Sequence, residues 1–163
     1  MLRLINRTAW LFAIAGGLCA GAVALLTVVS IVGRSWFQAP ISGDFELVQQ
    51  GTAWALSMCL PWCQVHGGNI IVDFFTQRSS ARAQQVMDGI GCMLLALMVG
   101  LLAWRTAAGA LAVGEAGETS MILGLPGWWV YAFLAPGLAL TCLIALVQAG
   151  LHWRGGDLSR LRG

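Results

Sequence analysis

The sequence predicts an all-α membrane protein with four transmembrane helices and both termini in the cytoplasm. Of its 163 residues, 58% are apolar and only 10% are charged, whereas soluble domains carry about 25% charged residues. The apolar residues are collected in long stretches joined by short polar segments, and most arginines lie in segments on one side of these stretches. The chain is therefore expected to form a single integral membrane domain over residues 1–163.

Four segments are predicted to span the membrane. The first follows from a charge-free run at 8–33, which is too long for the apolar region of a signal peptide, about 7–15 residues, and is expected to be a retained helix. The second lies within the charge-free stretch 47–72, and the last begins at a pair of tryptophans. The predicted spans are approximately 10–32, 47–65, 86–108 and 128–151.

The third span is the least regular of the four. Its charge-free stretch, 89–104, corresponds to about 24 Å of helix, which is shorter than the hydrocarbon core of about 30 Å. The helix is therefore expected to include Asp88 or Arg105 near an end, with the polar group reaching toward the headgroups.

The arginines predict the orientation. All nine basic residues are Arg. With the N-terminus inside, only Arg34 and Arg105 lie on the outer side, and the other seven lie on the inner side. This asymmetry is typical of the positive-inside rule, and it places both termini in the cytoplasm.

Small residues recur at four-residue spacing in the first and fourth spans, and such residues let helices approach closely in lipid. One stripe contains Ala13, Gly17 and Gly21, and the other contains Gly137, Thr141, Ala145 and Ala149. Packing inside the bundle is the favoured interpretation, and docking of another membrane protein is the alternative.

Few residues could support chemistry, and no enzyme, cofactor or metal site is predicted. Cys59 and Cys63 share one face of a helix, and His66 and His152 fall at inner helix ends, where two histidines could in principle ligate a haem. A small four-helix redox or haem-binding protein is therefore the alternative function. No Asp or Glu lies deep in a span, which disfavours a stand-alone proton-coupled exporter.

The connecting segments are more distinctive than the spans. In the first hairpin, Arg34 follows one helix and Asp44 and Glu46 open the next, where the helix dipole favours acids. Asp73 follows the inner turn after the second span. The candidate interface or structural residues are Arg34, Glu46, Asp73, Glu118, Pro126 and Trp128.

Together these segments resemble the small membrane subunit, of DctQ type, of tripartite ATP-independent periplasmic (TRAP) transporters. The matching elements run from Gly33-Arg34 through Pro40, Gly43 and Glu46-Leu47, then His66 and Val72-Asp73, and finally Glu118-Thr119-Ser120, Leu125-Pro126 and Trp128. The resemblance covers residues 8–152, and it depends on the order and spacing of these elements rather than on one motif. The glycine-rich turn 67–69 departs from the pattern.

The resemblance implies a multi-pass protein of the bacterial inner membrane that works with two partners. A large membrane subunit of DctM type would carry the substrate and sodium sites, and a periplasmic binding protein would deliver an organic acid. The chain itself would be a scaffold that enlarges the static part of the large subunit and helps to form the docking surface.

Overall fold

The described residues form a bundle of four helices. The computed structural model describes residues 2–37, 41–67 and 81–153, and these residues form α1 (Leu2–Phe37), α2 (Asp44–Val65), α3 (Ala81–Ala116) and α4 (Trp128–Trp153). Within those ranges the β-type pairing is one isolated bridge between Thr119 and Pro126. The prediction of an all-helical protein is confirmed.

Three of the helices are long and apolar enough to cross a membrane. Among the described residues, the qualifying segments are Leu4–Trp36 in α1, Arg82–Ala116 in α3 and Trp128–Trp153 in α4. α1 and α3 have 36 residues each, or about 54 Å of helix, so they exceed the hydrocarbon thickness of about 30 Å. The helical extension of α3 beyond 89–104 compensates for the short charge-free stretch there.

α2 does not meet the same criterion of length and composition. Its 22 residues give about 33 Å of helix, which is sufficient to span. Its hydropathy is instead lowered by its polar side chains. They include Asp44 and Glu46 in the first turn, and Gln49, Gln50, Thr52, Ser57 and Gln64 further along the helix. That α2 also crosses the membrane, as the sequence predicts, stays a prediction.

The order of the helices in space differs from their order along the chain. α1 packs on α2, α2 packs on α4, and α3 packs on the other side of α4, while α1 and α4 touch only slightly. α2 and α4 are therefore the central helices. Ala9, Val65 and Ile144, from α1, α2 and α4, meet in a small buried cluster where the three helices converge.

The contact between α2 and α4 is close because a glycine faces a free carbonyl. Pro61 has no N–H, so the carbonyl oxygen of Ser57, four residues earlier, has no helical donor. Gly137 of α4 packs directly against that oxygen, and a Cβ at this position would collide with it. A proline on one helix and a glycine on the other thus bring the two backbones together.

The two small-residue stripes behave differently. Gly137, Thr141, Ala145 and Ala149 are all buried, which confirms internal packing for the stripe on α4. The prediction of internal packing was wrong for the stripe on α1. Gly17 and Gly21 are exposed, and a Cβ added at either would have nothing within 4 Å. The neighbouring Gly16 makes the close contact instead, and a Cβ there would lie 2.8 Å from the Cys59 sulfur.

Two buried glutamines link α2 and α4 toward the end of α2. Gln64 Nε2 donates to Gln148 Oε1 at 2.6 Å, and Gln148 Nε2 donates to the backbone oxygen of Gln64 at 2.8 Å. Buried amides need such partners, because an unpaired polar group is costly away from water. The pair therefore fixes the register of the two central helices.

Candidate functional site at the Glu46 end of the bundle

The sequence-predicted interface residues gather at one end of the bundle, here called the Glu46 end. It consists of the last turn of α1, the first turn of α2, the loop 117–127 and the first turn of α4. Arg34, Glu46, Glu118, Pro126 and Trp128 all lie there. Asp73 lies outside the described residues.

Asp44 joins α1 to α2. Its Oδ2 accepts a hydrogen bond from the hydroxyl of Ser30 and lies 3.2 Å from Arg34 Nη2, while its Oδ1 accepts from the Phe45 N–H at 2.7 Å. The hydrogen bond from Ser30 contributes most to holding the pKa of Asp44 below its ordinary value, and the Phe45 N–H and the Arg34 guanidinium act in the same direction against partial desolvation. The hairpin is thus closed by one carboxylate with three donors.

Glu46 turns away from this hairpin and binds the loop between α3 and α4. Its two carboxylate oxygens accept the backbone N–H groups of Ile122 at 3.0 Å and Leu123 at 3.2 Å. Desolvation acts to raise the pKa of Glu46, but hydrogen bonds from the Ser120 side chain and these N–H groups outweigh it, so the pKa lies below its ordinary value. Asp44 and Glu46 therefore have separate roles, although both lie in the first turn of α2.

A second contact ties the same loop to the start of α2. Gly43 precedes the helix with φ of +80°, a left-handed conformation that L side chains rarely adopt. A Cβ at Gly43 would lie 2.5 Å from Leu123 Cγ. Leu123 is therefore held from two sides, with its N–H on Glu46 and its side chain over Gly43.

The loop is ordered by its own backbone. Ser120 N–H donates to the Leu125 oxygen at 2.8 Å, and Gly127 N–H donates to the Glu118 oxygen at 2.9 Å. Pro126 pairs with Thr119 in the isolated bridge, and its carbonyl accepts from the Trp129 N–H at 3.2 Å. Pro126 thus lies near the end of the loop, two residues before α4 begins.

Glu118 and Trp128 face outward. The Glu118 side chain is exposed, and Trp128 is 44% exposed, with its ring at the edge of Trp129 at a centroid distance of 6.1 Å. Apolar side chains around them are also exposed: Met121 is 100% exposed, Ile122 61%, Phe45 75% and Trp36 80%. The Glu46 end therefore presents a largely apolar surface, part of which is formed by an ordered loop.

The cysteines and histidines of the alternative function lie in the second half of α2, at its end, and in the last turn of α4. Cys59 faces Gly16 of α1, Cys63 is exposed, and both are free thiols. The His66 ring lies over Trp62, with centroids 4.1 Å apart, and its Nδ1 is 3.1 Å from the Trp62 carbonyl oxygen. His152 lies in the last turn of α4 beside Gly89 of α3.

Two features of the site were not anticipated from the sequence. One is the bond between Glu46 and the loop, which joins residues 76 and 77 positions apart, and the other is the donation from Ser30 to Asp44. The helix dipole alone is enough to explain an acid in the first turn of a helix. The position of Glu46 in the sequence therefore did not predict a distant partner. The spacing of Ser30 and Arg34 on one helix face was the only available signal for the second.

Comparison with known families gives one match that covers most of the chain. Residues 23–155 match the family described as "Tripartite ATP-independent periplasmic transporters, DctQ component". No curated protein and no solved structure matches the chain.

Proposed function

Because this chain belongs to the DctQ family and is the small membrane subunit of a TRAP transporter, we propose that it is the scaffold of the transporter and contains no complete transport site. With a large membrane subunit and a periplasmic binding protein, it would import an organic acid across the bacterial inner membrane, driven by a sodium gradient. Its own contribution would be packing area and part of the surface on which the binding protein docks.

The buried polar groups carry this proposal. A site for an organic anion needs positive or hydrogen-bonding groups at mid-membrane depth, and a sodium site needs convergent oxygens. In the ranges that the structure describes, the buried polar residues are Ser30, Ser57, Gln64, Thr141 and Gln148. None is charged, and each has a hydrogen-bond partner within the bundle. Two further buried polar atoms, Asn6 Oδ1 and Trp54 Nε1, have no partner among the described residues, but both are neutral and they belong to separate helices, so they do not form a convergent site.

The proposal also includes a topology of four spans, with the Glu46 end in the periplasm. Its test uses single cysteines in a background without the native cysteines and an impermeant thiol reagent on intact cells. Ser42→Cys should be labelled, whereas Ser79→Cys and Ser159→Cys, in inner segments, should be labelled only after the cells are opened. Labelling of Ser79→Cys but not of Ser42→Cys in intact cells would invert the topology.

The scaffold role is tested by uptake in vesicles that contain the reconstituted complex, with binding protein supplied. Alanine at Glu46, Glu118, Trp128 or Asp73 should alter assembly or the dependence of uptake on binding protein. The number of sodium ions coupled to each substrate should not change. A variant of this chain that changed this number in a fully assembled complex would contradict the scaffold role.

A further inference from the structure

One face of α2 is uncovered along its whole length. This face, here called the α2 stripe, contains residues spaced three or four apart, which therefore share one side of the helix. Phe45 is 75% exposed, Leu56 64% and Leu60 42%. The other members are also exposed, and the complete stripe is Phe45, Gln49, Thr52, Leu56, Leu60 and Cys63.

The α2 stripe differs from the other uncovered faces in being partly polar. In the central stretches 10–33 of α1, 89–104 of α3 and 132–152 of α4, every exposed residue is apolar, glycine or proline. α2 instead exposes the amide of Gln49 and the hydroxyl of Thr52. Across the described ranges neither side chain has a hydrogen-bond partner.

Other hydroxyls in the central parts of the bundle are satisfied by their own helices. Thr27 donates to the Val23 oxygen and Thr141 donates to the Gly137 oxygen, each at 2.8 Å. Thr52 makes no such bond within the described part of the chain. Its hydroxyl is therefore available to a partner outside this chain.

The depth of Thr52 excludes water as the partner if α2 spans the bilayer. Thr52 lies eight residues after Asp44, which is about 12 Å along the helix axis. Since α2 is about as long as the hydrocarbon core is thick, Thr52 would lie within that core. Lipid chains provide no hydrogen bonds there, so a second protein segment would be the partner for a hydroxyl that its own helix does not bond.

We propose that the α2 stripe is the face on which a transmembrane helix of the large membrane subunit docks. That helix would hydrogen-bond to Thr52 and Gln49 and pack against Leu56 and Leu60. The proposal rests on the proposed function, because the large subunit is the other integral membrane part of the transporter. The stripe is also continuous with the Glu46 end, since Phe45 adjoins Glu46 in the chain.

The test places a photoreactive phenylalanine analogue at single positions of this chain, co-expressed with its large subunit. Leu56 on the α2 stripe is compared with Leu18 on α1 and Leu97 on α3, which are similarly exposed, at 71% and 59%. Illumination in native membranes should link the Leu56 position to the large subunit with at least severalfold higher yield than the other two. Preferential linkage from Leu18 or Leu97, linkage of Leu56 to a second copy of this chain, or no protein adduct at Leu56 would overturn the proposal.

A matched pair of substitutions tests the polar contact itself. Thr52→Val should lower the affinity of the purified complex by roughly threefold to tenfold, the range for one interhelical hydrogen bond in a membrane. Thr27→Val makes the same change where the hydroxyl is satisfied within α1, and it should leave the affinity unchanged. Equal affinities for the two variants would show that Thr52 makes no such bond.

The wild-type complex separates the failure of this inference from the failure of the proposed function. Co-purification of the large subunit with the unmodified chain, together with linkage from another face, would retain the function and reject the α2 stripe. Absence of any large subunit from the unmodified preparation would reject both.

Discussion

The side-chain amide of Gln64 donates to Gln148 across the contact between α2 and α4, and Gln148 donates back to the Gln64 backbone. The two residues are 84 positions apart, and both are buried. These reciprocal bonds connect the two central helices of the bundle. Single and double substitutions can separate the cost of an unpaired glutamine from the contribution of the pair.

Gln148→Leu should destabilise the bundle, because it leaves the buried Gln64 amide without this partner, at about 1–3 kcal/mol. The double variant Gln64→Leu/Gln148→Leu should recover much of that loss, since two apolar groups can replace a buried polar pair almost neutrally. Thermal unfolding in detergent measures both effects. A double variant less stable than either single variant would show that the two glutamines stabilise the bundle by more than the hydrogen bonds between them.

Gly137→Ala and Gly17→Ala should shift stability in opposite directions. A methyl group at Gly137 would meet the Ser57 backbone oxygen, which cannot move without displacing α2. At Gly17 the added methyl has open space, and alanine is favoured over glycine in a helix by up to about 1 kcal/mol. The melting temperatures of the two variants provide the comparison, and similar shifts would contradict the close α2–α4 contact.

Glu46→Ala should release the loop 117–127 from the start of α2. The N–H groups of Ile122 and Leu123 lose their acceptor, so hydrogen exchange in a peptide covering this loop should become severalfold faster. Glu118→Ala removes the same charge from the same end of the bundle, but from an exposed side chain. It should leave the exchange of this peptide close to that of the wild type, and equal acceleration by both variants would remove the special role of Glu46.

The bond between Glu46 and the loop should be independent of pH near neutrality and should weaken at low pH. The pKa of Glu46 is lowered from its ordinary value of 4.5, so the stabilisation is complete above that value and is lost as the pH falls through the lower pKa of the folded state. Protection of the loop amides, corrected for the intrinsic exchange rate, should be constant from pH 7 to about pH 5 and should then fall. Glu46→Ala should lack this step, and a step that persists in that variant would assign it to another group.

The hairpin between α1 and α2 shows which contacts a charge pattern can predict and which it cannot. Arg34 and Asp44 could be paired from their positions, because a short turn between two helices brings such residues close. Glu46 carries the same negative charge as Asp44 and lies only two residues from it, yet its carboxylate binds the loop between α3 and α4. A step of two residues turns a helix by about 200°, and what lies on each side depends on how α4 is placed.

The sequence by itself determined the helical class, the apolar segments and the family, since composition and the order of polar connecting segments are properties of the chain. The tertiary structure alone decided that α2 and α4 are central, that the small stripe on α4 is buried while the one on α1 is not, and that Glu46 carries the α3–α4 loop. In an apolar sequence nearly every helix face is suitable for burial, so hydrophobic periodicity distinguishes the faces poorly. Close backbone approach, at Gly137 on Ser57 and at Gly16 on Ala55, and the pairing of buried polar groups select the neighbours instead.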